Sequence, residues 1–289
     1  MFAHEFIRNA YLAGTFIALA CGLIGWFVVL RGQVFAGDAL SHVAFVGAIA
    51  AAVVGIDARA GLFALTLGFA AVMAGLGRRA QADDVTIGVV FSWILGIGVL
   101  LIAVLSTGGS GGNGLIVANT LFGSIFGLGT RDAIAAAAVG LGVALAVVAM
   151  ARPLLFASID TELALLHGLP VRALGLGLLL LLGAVTAEGT QAVGALLVLA
   201  LIAAPGGAAL RITSRPYLGM ALSGAIALAA MWGGLALSYA LPSLPPSTGV
   251  VILAVAAYVG AGTVRRPTSG RLGGAGSGET RGIADTISG

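Results

Sequence analysis

Long apolar runs, separated by short clusters of Arg, Gly and Pro, dominate this chain. A helix needs about 20 apolar residues to cross the hydrocarbon core of a bilayer. Nine runs approach or meet that length: 9–30, 38–55, 60–77, 85–106, 131–150, 173–188, 191–210, 217–240 and 248–264. Tight turns join 38–55 to 60–77 and 173–188 to 191–210. The pattern predicts an all-α, polytopic membrane protein of about nine transmembrane helices, with short non-spanning and re-entrant helices between them. One membrane domain is expected over 1–266. The Gly-, Ser- and Thr-rich tail at 267–289 has no apolar periodicity and is expected to be disordered.

Two connections break the alternation of span and turn. The segment 107–130 opens on the Gly-rich run Thr107–Gly114 and continues into Leu121-Phe122-Gly123-Ser124-Ile125-Phe126-Gly127. It is apolar but broken by Gly. It reads either as a short outer or re-entrant helix, tolerable at membrane depth only if buried against protein, or as a loose outer loop. The Gly123/Gly127 spacing matches a small-xxx-small packing face. In 152–172, Asp160 or Ser158 can cap a helix start with Glu162 in its first turn, and Gly168 followed by Pro170 ends it. A helix of about two turns is unstable alone and needs a docking surface.

Composition sharpens this picture. Of 289 residues, 60% are hydrophobic and 9% charged, whereas soluble domains carry about 25% charged residues. The net charge of +3 comes entirely from Arg, because Lys is absent. Positive-inside topology explains the arginines better than nucleic-acid binding does. Arg31, Arg78, Arg79, Arg152, Arg172, Arg211, Arg215, Arg265, Arg266, Arg271 and Arg281 are expected in the cytoplasm, and Arg8, Arg59 and Arg131 outside. This puts the N-terminus outside and the C-terminus in the cytoplasm of a multi-pass cell-membrane protein. Without Lys the chain has no Walker A phosphate loop, so any ATP hydrolysis belongs to another subunit. It also has no His-Glu-x-x-His, Gly-x-Ser-x-Gly or paired-Cys motif, which counts against an intramembrane enzyme. Cys21 lies in a span that runs on to Leu30 and reads as a packing residue.

The candidate chemistry is sparse. Asp38 and His42, in Gly37-Asp38-Ala39-Leu40-Ser41-His42, lie four residues apart and share one helical face. An ionisable residue within a membrane helix costs roughly 2.5–3.5 kcal/mol on insertion scales and usually lines a path or meets a partner. Carboxylate and imidazole suit a divalent cation or a proton relay. The competing reading makes Asp38 the cap of a helix starting near residue 38, with His42 a satisfied polar residue. Ser41 points elsewhere and reads as a packing or backbone-bonding residue. Glu188, in Thr186-Ala187-Glu188-Gly189-Thr190-Gln191, reads either as a solvated turn acid or as a weaker metal-attracting acid at the outer mouth. His4 and His167 read as an exposed residue and a helix end, and Asp83 and Asp84 as a solvated cluster beside Arg78 and Arg79.

Together these stretches resemble the permease subunits of ABC importers for zinc, manganese or iron(II). The resemblance rests on Arg8 to Arg31, ending Phe27-Val28-Val29-Leu30-Arg31, on Gly37–His42, on Asp160–Arg172, on Val193–Pro205, and on Leu244-Pro245-Pro246-Ser247-Thr248-Gly249-Val250-Val251. It covers about residues 8–264. The run Gly32–Gly37 looks most like zinc-type members. Gly32 stands where many members have a second basic residue, and Gly206-Gly207 follow Pro205 where Ala is more usual. The resemblance implies a transport subunit, not an enzyme, with no permanently bound cofactor. Divalent metal, most like zinc, would pass Asp38 and His42, with Glu188 a weaker candidate. Asp160, Glu162 and Gly168 would belong to a coupling helix at about 158–168. The implied partners are cytoplasmic ATPase subunits, an extracytoplasmic metal-binding protein, a second permease copy and the lipid bilayer. A secondary metal–proton transporter or channel using the Asp–His pair as a relay is the alternative.

Overall fold

A computed structural model describes residues 4–76, 84–107, 113–241 and 244–263. Arg78, Arg79, Asp83, the Gly-rich turn at 108–112, Arg265, Arg266, Arg271, Arg281 and the tail 267–289 lie outside the described residues. The described residues form eleven α-helices in chain order: α1 (Glu5–Leu30), α2 (Val34–Val54), α3 (Ala58–Leu76), α4 (Asp84–Thr107), α5 (Asn113–Phe122), α6 (Thr130–Ile159), α7 (Thr161–Leu166), α8 (Val171–Ala192), α9 (Val198–Ile212), α10 (Pro216–Ala240) and α11 (Pro246–Thr263). A 3₁₀ turn spans Ile125–Gly127. Eight of the helices are long and apolar enough to cross a membrane; α5, α7 and α9 are shorter.

The ninth expected span, 191–210, is where sequence and structure part. α8 continues through Ala192, and Gly194, at φ +101°, breaks the helix. α9 then resumes at Val198 for 15 residues, about 22 Å of helix against a hydrocarbon core of about 30 Å. The rest of the depth is filled by the 193–197 turn and by the end of α5. Ala195 N–H donates to the Thr120 carbonyl (3.1 Å), Leu196 N–H to Leu121 (3.4 Å) and Ser124 N–H to Gln191 (3.3 Å). Ala195 packs with Phe45, Val46 and Ile49 of α2, so this irregular backbone lies beside the middle of a spanning helix. Its polar groups are satisfied by protein, as a bilayer requires.

The described part of 107–130 holds the short helix α5, which touches α2, α4 and α8 but stays partly exposed, Phe122 included. Gly123 and Gly127 do not form the expected helical packing face. Gly123 sits in a turn at φ +78°, and a Cβ there would strike the Ala192–Gly194 backbone. A Cβ on Gly127 would meet the side chain of Ser124 in its own turn.

α1 forms the centre of the bundle, packed against α6, α8, α9 and α10. Buried Cys21 belongs to this core. Small residues let the backbones close together: Gly25 of α1 abuts the Ile202 carbonyl of α9, and Gly47 of α2 faces Gly61 of α3. α6 outruns its expected end at 150 and continues through Pro153 to Ile159. Proline removes one i→i−4 bond, but Leu154 and Ala157 are buried immediately beyond it and hold the helix.

The chain reverses after α1 through Arg31 and Gly32, the latter at φ +67°. Gln33 N–H donates to the Val28 carbonyl at 2.8 Å, and α2 starts at Val34, one turn earlier than the apolar pattern indicates. The alternation of spans places Arg31, Arg172, Arg211 and Arg215 at helix ends on one face of the bundle, here the basic face; Arg8, Arg59 and Arg131 lie toward the opposite face.

Candidate metal path and its flanking elements

Because α2 starts at Val34, Asp38 is an interior helical residue and not a cap. The capping reading therefore fails. Asp38 and His42 lie about 6 and 12 Å along a helix about 31 Å long, so His42 approaches its middle. Asp38 Oδ1 and His42 Nε2 are 3.8 Å apart, with side chains 33% and 23% exposed. This gap is too long for a hydrogen bond. With metal–ligand bonds of about 2.0–2.2 Å, both atoms can reach one cation after a small rotamer adjustment. Ser41 is buried and donates to the Asp38 carbonyl at 2.7 Å, the backbone role expected of it.

The pair faces α4. The Phe91 ring lies 5.5 Å from the His42 ring, and its edge meets Phe35 at 6.3 Å. Phe91 thus forms one wall beside the imidazole. Sequence reasoning missed it, since an aromatic in an apolar span carries no mark of its neighbour. Among the described residues no three or more His, Cys, Asp or Glu gather into a metal cluster. The pair brings one carboxylate and one imidazole together with no third such group beside them among the described residues.

Glu188 is not brought to Asp38 and His42, and it is not a solvated turn acid. It lies inside α8, 1% exposed. Arg59, at the start of α3, donates from Nη2 to Glu188 Oε1. Arg59 Nη1 also donates to the Asp132 carbonyl (3.4 Å) and lies 3.7 Å from Asp132 Oδ1. Glu188 Oε2 and the neighbouring Thr190 hydroxyl are buried without a partner among the described residues. The Glu188 carboxylate is held by a cation 129 residues away in sequence. The available signal was Arg59 itself, an arginine on the face that carries few of them.

On the basic face, α7 is a six-residue helix. The Asp160 carboxylate accepts from Leu163 N–H at 2.9 Å, so Asp160 is its cap. His167 and Gly168 close it: Leu169 N–H donates to the Ala164 carbonyl at 3.1 Å with Gly168 at φ +75°. Ala164 is buried, while Glu162, Leu165 and Leu166 are exposed. The helix therefore rests on one residue and presents apolar side chains outward. Also on the basic face, the Arg31 guanidinium is buried with no acceptor among the described residues, and burial lowers its pKa below the ordinary arginine value.

A scan against family models matches residues 3–265 to the ABC 3 transport family. The chain belongs to this family. A manganese transport system membrane protein, MntC, of Halalkalibacterium halodurans is 30% identical over 81% of the chain and 76% of its own length. The manganese import permease ScaB of Streptococcus parasanguinis is 30% identical over 82% and 83%. A probable iron transport system membrane protein of Haemophilus influenzae is 29% identical over 86% and 89%. Among solved structures, PsaBC from Streptococcus pneumoniae in complex with Fab superposes with a TM-score of 0.77 at 26% identity, covering 91% of this chain and 92% of that one. The chain is thus a multi-pass permease subunit of a metal ABC importer, a transport protein whose ATPase lies on a separate chain and whose system includes a substrate-binding partner. The secondary-transporter alternative finds no support. The zinc preference read from Gly32–Gly37 does not carry over either: these relatives are named for manganese and iron.

Proposed function

We propose that this chain carries manganese(II) or iron(II) across the cell membrane and that Asp38 and His42 contact the ion in transit. One observation supports the reading most: an Asp–His pair one turn apart within a spanning helix, partly open and serving no cap. Carboxylate oxygen with a single imidazole suits the harder divalent ions, in line with the names of the relatives. Two ligands hold an ion weakly, which permits release. The pair works without a resident cofactor. The basic face lies in the cytoplasm by the positive-inside rule, which puts the C-terminus there and offers α7 to the ATPase, with Asp160 and Gly168 fixing its ends and Glu162 on its exposed side. A second copy of the chain completes the path on the side of α4 where the pair faces out. Glu188 is a structural acid in this reading and not an ion ligand.

The test is uptake by the chain co-reconstituted with its ATPase and its binding protein. Manganese accumulation should require ATP and fall to background in Asp38→Ala and His42→Ala, with the complex still assembling. Uptake without ATP overturns the mechanism. Retained uptake in both variants removes the pair from the path, and preference for zinc in a mixed-metal assay refutes the assignment of the ion.

A further inference from the structure

An apolar cleft of about 390 Å³ opens between α1, α2, α9 and α11 toward the basic face. Val29, Val34, Ala203 and Gly207 line it, and Arg211 and Tyr258 stand at its edge. The Arg211 guanidinium lies over the Tyr258 ring, 3.7 Å from its centroid. It donates from Nη1 to the Tyr258 carbonyl at 3.3 Å and from Nη2 to the Tyr258 hydroxyl. Tyr258 can lie this close to α9 only because residue 207 is Gly: a Cβ there would stand 2.8 Å from the ring. This accounts for one of the two glycines that depart from the usual Ala after Pro205. Gly206 has a different cause, the close approach of the α1 backbone at Gly25.

We propose that this cleft binds an anionic phospholipid, an acyl chain in the apolar groove and the phosphate on Arg211. An apolar space between membrane helices does not hold water, and an acyl chain is the apolar molecule the surroundings supply. The guanidinium offers a flat set of donors that matches a phosphate, and stacking on Tyr258 fixes its plane. Arg31 lies in the turn that joins Val29 to Val34, two walls of the cleft, and its buried guanidinium meets no acceptor among the described residues. Basic pockets between membrane helices on the cytoplasmic side commonly take anionic headgroups. Neither Asp38 nor His42 lines the cleft, although Val34, one of its walls, lies one turn before Asp38 on α2; the lipid test reads binding without reference to ion transport.

The test uses the full chain purified in a neutral detergent. Thermal unfolding is measured with phosphatidylglycerol, with phosphatidylcholine of the same acyl chains, and with inorganic phosphate. Native mass spectrometry counts retained lipid in parallel. Phosphatidylglycerol should raise the midpoint by several degrees and remain bound, and the other two should not. Arg211→Gln should lower phosphatidylglycerol binding at least ten-fold, and Ala203→Phe, which fills the groove and keeps the charge, should lose the bound lipid too. The proposal fails if phosphatidylcholine matches phosphatidylglycerol, if inorganic phosphate reproduces the shift, or if both variants keep the full shift. A variant whose lipid-free midpoint equals that of the wild type reports binding and not folding; if Arg211→Gln unfolds, Arg211→Lys, retaining charge without the planar fork, replaces it and should bind with intermediate strength.

Discussion

Replacing Arg59 by Ala leaves the Glu188 carboxylate buried with no cation beside it. Glu188 is 1% exposed, its Oε1 is held by Arg59, and its Oε2 has no hydrogen-bond partner among the described residues. Removing one member of a buried ion pair costs about 3–5 kcal/mol, because the other charge is left unsolvated. The opposite deletion, Glu188→Ala, is milder. The Arg59 side chain is 18% exposed and keeps Asp132 at 3.7 Å, so it retains both water and a counter-charge, and the expected loss is roughly 1–2 kcal/mol. The double variant removes the stranded carboxylate and should sit close to Glu188→Ala alone, so the coupling should match the Arg59→Ala loss, about 3–5 kcal/mol. The assay is denaturant or thermal unfolding of the purified chain in one detergent, run for the four members of the cycle. Equal losses in the single variants with additive behaviour in the double would refute the reasoning, since they would mean that Glu188 finds another partner or water in the folded chain.

Three further outcomes follow from the packing. Gly25→Val should prevent stable folding, because its Cβ would enter the Ile202 carbonyl, whereas Gly68→Ala, with nothing within 4 Å, should be neutral or stabilise by about 1 kcal/mol; unfolding midpoints distinguish them. Asp160→Ala removes the α7 cap and should cost about 1 kcal/mol locally, visible as faster hydrogen exchange over 161–166 and weaker stimulation of the partner ATPase, with Asp160→Asn largely restoring both. Gly194→Ala, at φ +101° and against the Leu121 carbonyl, should disrupt the turn that separates α8 from α9, read as loss of detergent-stable protein.

The class of molecule was legible in the chain because insertion in a bilayer is a local requirement. Each span must satisfy its own backbone, so length and apolarity alone mark eight helices that the structure contains. The Asp38–His42 pair was equally legible, because i, i+4 geometry belongs to any helix. So was the short α7, through its cap and terminating glycine. What sequence periodicity could not supply is how elements meet. The 191–210 run reads as a span because its composition is apolar throughout. Only the packing of α5 beneath the 193–197 turn allows the chain to break there and still satisfy its backbone. Glu188 looked like a turn acid because it stood among Thr, Gly and Gln. Its burial depends on Arg59, 129 residues away, brought to it by the docking of α3 on α8. The start of α2 moved by one turn for the same reason, since Gln33 bonds back to Val28 and so settles whether Asp38 is a cap or an interior residue. Local sequence determined the helices and the chemistry they carry. Tertiary contact decided which charges are paired, where a helix stops short, and which way the Asp–His pair faces, because those depend on surfaces that no single segment contains.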